Sequence, residues 1–137
     1  MNSTFSPQTV SQFVVVEFYD ALSKQDDLRL WRLLDLQFED ETIPKGITGL
    51  NAIIHSIKEI HQAFEGLKIT VESIEEKNNK VLARVTYKGQ FTDEYDNIRP
   101  TNTWVKWSVS EEFQVNSGKR FIHRKRISSS LPMSIKQ

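Results

Sequence analysis

Two carboxylates stand where the surrounding pattern asks for apolar side chains. Asp40 shares a parity with Leu36 and Phe38, against Gln37, Glu39 and Glu41; Glu111 shares one with Val105, Trp107, Val109, Phe113 and Val115. Alternate side chains of a strand face opposite sides of a sheet, so each acid is expected on an apolar face. Burial disfavours the charged form of a carboxyl and can raise its pKa by several units. Two such groups facing one cavity can divide the work. An ionised Asp40 removes a proton as general base, and a neutral Glu111 donates to a developing enolate oxygen. The plainer alternative is that both sit at strand ends, solvated or paired with Arg or Lys.

Further residues could join such a site. His123 shares a parity with Phe121 and Ile127, which would turn it toward a cavity where it could exchange protons near neutral pH; a structurally satisfied histidine is the competing reading. Tyr19, Tyr87, Phe91, Trp104, Trp107 and Phe113 offer flat apolar area suited to a ring-bearing ligand, or to ordinary core packing. Trp31 reads as a helix–sheet packing residue. His55 and His61 lie six apart on one helical stretch, so they point in different directions, and no metal site is expected. The run Lys119, Arg120, His123, Arg124, Lys125, Arg126 is the one strong local charge bias. It reads as an outward strand face paired with Glu72, Glu75, Glu76 and Glu112, or as a seat for an anionic ligand or acidic partner.

The elements that must position these residues fall in a simple order. Ser6 before Pro7 reads as a helix start, and Val10, Phe13, Val14, Phe18, Ala21 and Leu22 recur at helical spacing over residues 7 to 24. Asp26 or Asp27 caps a short second helix carrying Leu30, Trp31 and Leu34. A short strand around Leu36 to Asp40 ends at Pro44 and Gly46. A third helix starts around Thr48 to Asn51, carries Ile53, Ile54, Ile57, Ile60 and Phe64, and stops at Gly66. Strands follow: LKITVESI, a turn at Asn78-Asn79, two long alternating runs around the 92–103 loop, and a turn at Ser117-Gly118 into a last strand from Lys119 to about Ser128. The tail after Pro132 reads as poorly ordered. Helices first and consecutive hairpin-linked strands after predict an α+β domain, a curved antiparallel sheet with helices on one face.

Composition sets the outer bounds. The 137 residues suit one domain, ordered over about 7–130. A chain of this size buries about 70% of its unfolded surface, enough for a core without staples. There is no cysteine, which excludes thiolate chemistry and is compatible with a reducing cytosol. Eighteen basic residues balance eighteen acidic ones, so whole-chain attraction to nucleic acid or an anionic membrane is not expected. No apolar run has the length of a membrane span, and no secretory signal is visible, so a cytoplasmic protein is expected. No Gly-rich phosphate loop and no Ser-centred nucleophile motif occur.

Three stretches carry a family resemblance. Phe64-Glu65-Gly66-Leu67 with KITVESI looks like an FPDL turn and the strand after it. Gly89-Gln90-Phe91-Thr92, with Glu94 and Pro100-Thr101, is similar to a G-x-H-T-G-x-F…P-T-G segment, and Gly118-Lys119-Arg120-Phe121-Ile122-His123 to a G-K-I-V-E-H/W ending. In this order they resemble the SnoaL-like polyketide cyclase family of the nuclear transport factor 2-like superfamily. The resemblance implies a cone-shaped fold with the N-terminal helices on the concave face of a curved antiparallel sheet, a small apolar or aromatic ligand inside, and a homodimer through the outer face. Members of the superfamily include cyclases, isomerases, dehydratases and non-catalytic binders, so fold does not give function.

The chain departs from the family at two positions. The motif histidine falls on Phe91. The cyclase aspartate falls near Ser128, and no carboxylate occurs from Gly118 to Gln137. The ketosteroid isomerases of the same fold are similar at Asp40, as the base, and at Glu111, whose acid precedes Phe113-Gln114-Val115-Asn116; their helix-1 tyrosine falls on Phe18, beside Tyr19. The expectation is a cofactor-free isomerase, cyclase or dehydratase acting on a polyketide- or terpenoid-like molecule, with Asp40, Glu111 and His123 catalytic and Tyr19, Tyr87, Phe91, Trp107 and Phe113 at the ligand. The alternative is a non-catalytic ligand-binding or partner-recruiting module. Recognition of an acidic macromolecule by the basic strand comes third.

Overall fold

A computed structural model describes residues 6–41, 49–116 and 120–130. Along the chain run α1 (Val10–Lys24), α2 (Asp27–Leu33), β1 (Leu34–Asp40), α3 (Gly49–Ala63), β2 (Phe64–Lys77), β3 (Lys80–Phe91), β4 (Trp104–Val115) and β5 (Phe121–Ser129). The stops expected at Pro44 and Gly46, the start at Thr48, the turn at Ser117-Gly118 and the tail beyond Pro132 lie outside the described residues.

The first helix starts later than Pro7. Thr9 is its cap, accepting from the Gln12 amide at 3.2 Å, while the Gln12 side chain accepts from the Gln8 amide at 2.8 Å. This near-reciprocal capping box satisfies amides that a start at Pro7 would leave unpaired. The helix is buried over most of its circumference, Phe18 and Tyr19 included, because sheet and α2 both pack on it. Asp26 caps α2 through the Arg29 amide, as expected. Trp31 does not pack between helix and sheet; it is half exposed, since only the Leu30 side of this seven-residue helix turns inward.

The five strands form one curled sheet in the order β1-β5-β4-β3-β2. From β2 to β5 all pairings are antiparallel, while β1 joins the far edge parallel to β5. A two-residue turn at Asn78 and Asn79 (φ 52° and 65°) sets the β2–β3 register, with both residues in the left-handed region that a type I′ hairpin needs. The β3–β4 register then puts Tyr87 opposite Trp107 and Ala83 opposite Glu111 on the inner, helix-covered face. Gly66 lies past the helix end in an irregular start of β2 (φ +68°), where a Cβ would meet the Trp104 ring at 3.2 Å. Trp104 itself lies mostly outside, not in a pocket wall.

Two strands break the expected parity. In β1 the register shifts between Leu34 and Glu39, so Phe38 is buried while Leu36 is 91% exposed. In β5, Val115 pairs with Phe121 but Gln114 with His123, and Ser110 pairs with Ser128 but Glu111 with Arg126. One extra residue is therefore inserted at Ile122 and another at Ile127. Each such bulge flips the side chains beyond it to the other face. Phe121, Arg124 and Arg126 thus oppose Val115, Phe113 and Glu111 on the inner face.

Candidate active site

Glu111 lies mid-strand in β4 and is 0% exposed. Its carboxylate is surrounded by donors. The Tyr19 hydroxyl donates to Oε1 at 2.5 Å, and Arg124 Nη2 donates to Oε1 and Oε2 at 2.9 Å each. From the rim, Arg126 donates to Oε2 through Nε at 3.3 Å and Nη2 at 3.1 Å. Burial alone would push the Glu111 pKa up, but the charges of Arg124 and Arg126 and the bonds from Tyr19 and Arg124 outweigh it and hold the pKa below the usual glutamate value. Glu111 is therefore an anion, and the expectation of a neutral acid at this position is corrected. The cause is the β5 bulge, which brings in the two cations.

Arg124 joins the two acids. Its Nη1 donates to Asp40 Oδ2 at 3.0 Å, and the Asp40 side chain is 1% exposed. The guanidinium lies over the Phe18 ring, 5.2 Å from its centre. Burial would lower the Arg124 pKa, but Glu111 and Asp40 raise it well above its ordinary value, so the cation is fixed. Its Nε–H is buried and meets no acceptor among the described residues. Asp40 and Glu111 are thus brought to one cation from strands at opposite sides of β5. Both are paired with arginine, as the plainer alternative had it; Asp40 ends β1 while Glu111 lies mid-strand, and neither side chain is solvated.

Arg124 and Arg126 were assigned from sequence to an outward face and in fact point inward, the main functional correction. The chain carried one signal for this. A carboxylate deep in an apolar strand needs a counter-ion, and the only dense basic run lies on the strand that pairs with it. His123 does not face the cavity. The bulge at Ile122 turns it away, and its side chain, 27% exposed, pairs with Glu41. His61 instead contacts the Leu22 carbonyl at 2.9 Å, tying the end of α3 to α1.

Beside this cluster is a cavity of about 30 Å³. Its walls are apolar, from Leu22, Ile53, Ile57, Ile60 and Ile69; its polar end is formed by Tyr87, Tyr95, Arg124 and Arg126, with Ser56 at α3. Of the aromatic residues expected at a ligand, Tyr87 lines it. Trp107 stacks behind Tyr87 at 5.2 Å, Phe91 stacks on Phe64 at 4.8 Å, and Phe113 packs edge-on to Phe18 and Tyr19 in the core. Tyr19 is engaged with Glu111. A larger concavity of about 590 Å³ lies by the Asn78-Asn79 turn, open and lined by the strand ends around Lys80 and Gln114. No buried charge lines it, whereas Arg124 lines the smaller cavity. Among the described residues no group of three or more metal-binding side chains occurs, and no helix is long and apolar enough to cross a membrane.

Comparison with known proteins agrees with this architecture. Solved structures of similar fold include TsrD from Streptomyces laurentii, at 16% identity and a TM-score of 0.80, covering 96% of this chain and 95% of that one. A SnoaL-like polyketide cyclase from Agrobacterium tumefaciens gives 14% identity and a TM-score of 0.76 over 94% and 96% of the two chains. AclR from Streptomyces galilaeus, provisionally assigned as a hydroxylase, gives 17% and 0.71 over 91% and 92%. No curated protein matches in sequence. The model of the SnoaL-like polyketide cyclases matches residues 13–128, which span most of α1, all of α2 and α3 and nearly all of the sheet. The chain belongs to the SnoaL-like polyketide cyclase family.

Proposed function

We propose that this protein catalyses a cofactor-free proton transfer on a small, largely apolar molecule of polyketide or terpenoid type, leading to isomerisation, cyclisation or dehydration. The observation that supports it is a pair of arginines held by two buried carboxylates at the polar end of an otherwise apolar cavity. Asp40 is the base. Glu111, being an anion, does not donate a proton; it holds Arg124 and Arg126 in place. Arg124 stands between Asp40 and the closed cavity. α3 packs against both β1, which ends at Asp40, and β2. His123 acts from the far face, through its pairing with Glu41, on the β1–β5 junction that carries Asp40. A cytoplasmic homodimer joined by the outer sheet face completes this reading; sedimentation as a monomer would remove that part.

A second reading is favoured by one observation. At about 30 Å³ the cavity is an order of magnitude below the ~300 Å³ at which ligand pockets begin. A binding module that closes around nothing until its ligand arrives fits that volume. Hydrogen–deuterium exchange at the α-carbon of 2-tetralone, followed by NMR, separates the two. The enzyme speeds exchange, and Asp40→Asn lowers the rate by about 10²-fold or more. Binding of the ketone with no acceleration establishes the module instead.

A further inference from the structure

The outer face of the sheet carries a charge pattern of its own. Lys68, Lys88 and Lys106 stand directly opposite one another on β2, β3 and β4, each exposed between two buried neighbours. The next two rows on that face are Thr70, Thr86 and Ser108, then Ser73, Arg84 and Ser110. Through three successive rows every cross-strand partner is a cation or a hydroxyl. None of the four cations is ion-paired among the described residues. The acids stand around the strip. Glu65 is in the row before it, Glu75 and Glu112 are in the row after Arg84, and Glu72 lies in the β2 bulge at the edge without pairing to Arg84. Like charges directly opposite one another destabilise a sheet, so three lysines abreast are a cost that a bound anion offsets. At the lysine end of the strip is Trp104, on the same face two residues before Lys106 and 55% exposed. The Lys88 ammonium lies 5.8 Å from the centre of its ring, which makes ring and lysine row contiguous.

We propose that this outer face binds a nucleoside triphosphate, with the phosphates across Lys68, Lys88 and Lys106 and the base on the Trp104 ring. Ammonium groups and hydroxyls are the donors that phosphate oxygens accept from. Neighbouring strands lie about 4.8 Å apart, so the lysine row is about 10 Å wide, and Trp104 stands about 7 Å along β4 from Lys106. That is the compass of a single nucleotide. A nucleic-acid strand stacks successive bases on several rings, and Trp104 is the one large exposed aromatic of the sheet among the described residues. An acidic peptide would use the cations and leave the ring idle. The strip and the Asp40–Arg124–Glu111 cluster lie on opposite faces of the sheet, so this inference is independent of the proton-transfer reading. A homodimer joined by the outer face would cover the strip, so nucleotide and second copy compete for it.

The test is calorimetric titration with ATP, adenosine and inorganic tripolyphosphate in phosphate-free buffer. ATP should bind about tenfold or more tighter than adenosine, and should weaken severalfold as salt rises from about 50 to 200 mM. The double variant Lys88→Gln, Lys106→Gln should weaken ATP and tripolyphosphate alike by about tenfold. Trp104→Ala should weaken ATP by about tenfold and leave tripolyphosphate unchanged, because only the base uses the ring. These side chains are exposed, and Lys68→Gln repeats the charge arm should the double variant fail to fold. ATP affinity untouched by the lysine substitutions overturns the inference. So does ATP affinity untouched by Trp104→Ala, which would leave a surface for any polyanion. Tighter binding of a short oligothymidylate or of a glutamate hexapeptide transfers the face to that class of partner and likewise overturns it. Sedimentation in saturating ATP should give the monomer; a dimer joined by this face that persists with ATP bound overturns the placement. Hydrogen–deuterium exchange of 2-tetralone should be the same in all these variants as in the wild type, so the two readings fail separately.

Discussion

Replacing Glu111 by Gln keeps the shape of the side chain and removes the charge on which Tyr19, Arg124 and Arg126 converge. The wild-type carboxylate accepts from all three, and Gln offers one carbonyl oxygen and turns an NH₂ toward a guanidinium. Removing one partner of a buried ion pair costs about 3–5 kcal/mol. Two features place Glu111→Gln at the lower end. Arg124 keeps Asp40, and Arg126, with 39% of its side chain exposed, recovers water. A loss of ~3 kcal/mol lowers the urea midpoint by about 1.5 M for a chain of this size. Far-UV circular dichroism during urea titration reads it, with an unchanged slope showing that the same unit unfolds.

The same variant has a pH signature. The Glu111 pKa is lower folded than unfolded, so its contribution is complete above the unfolded value of about 4.3 and is lost as pH falls through the lower folded value. The stability gap between wild type and Glu111→Gln should therefore be constant at neutral pH and narrow only in acid. A loss below ~1 kcal/mol at neutral pH, as for an ordinary surface ion pair, would refute the claim that this carboxylate is held by buried cations.

Tyr19→Phe should cost ~1.5–3 kcal/mol, since it removes a hydrogen bond to a charged group and leaves the ring packing intact; thermal unfolding checks it. Gly89→Ala should destabilise by ~1–3 kcal/mol, because the new Cβ would lie 2.9 Å from Phe64 Cβ and the strands must part locally. Phe91→Ala should cost ~3–5 kcal/mol by emptying the stack on Phe64, which calorimetry reads as a lowered melting temperature.

The β3–β4 half of the site was legible from sequence because strict alternation over twelve residues in each strand admits one facing. Asn78-Asn79 fixed the neighbouring register for the same kind of local reason. The β5 half was hidden. A bulge is an extra residue, and neither Ile122 nor Ile127 is a glycine or proline that would mark one. Counting by twos therefore sent Arg124 outward and His123 inward, the reverse of what the sheet does. Leu36 failed for a related reason: the parallel pairing of β1 with β5 joins residues far apart in sequence, and local pattern carries no trace of such a register. Trp31 and Trp104 show the limit of residue type, since a large apolar ring half in solvent looks the same in sequence as one in the core.

The late position of both arginines bears on how the molecule is made. Glu111 and Asp40 leave the ribosome before β5 does, and until it emerges Arg124 reaches neither of them. A nascent chain that has completed α1 to β4 holds an acid at the centre of its sheet with only Tyr19 to meet it. Collapse around that charge is disfavoured, so commitment to the native state waits for the strand that carries Arg124 and Arg126. Its arrival seats β1 on the sheet and brings Arg124 to both acids in one event.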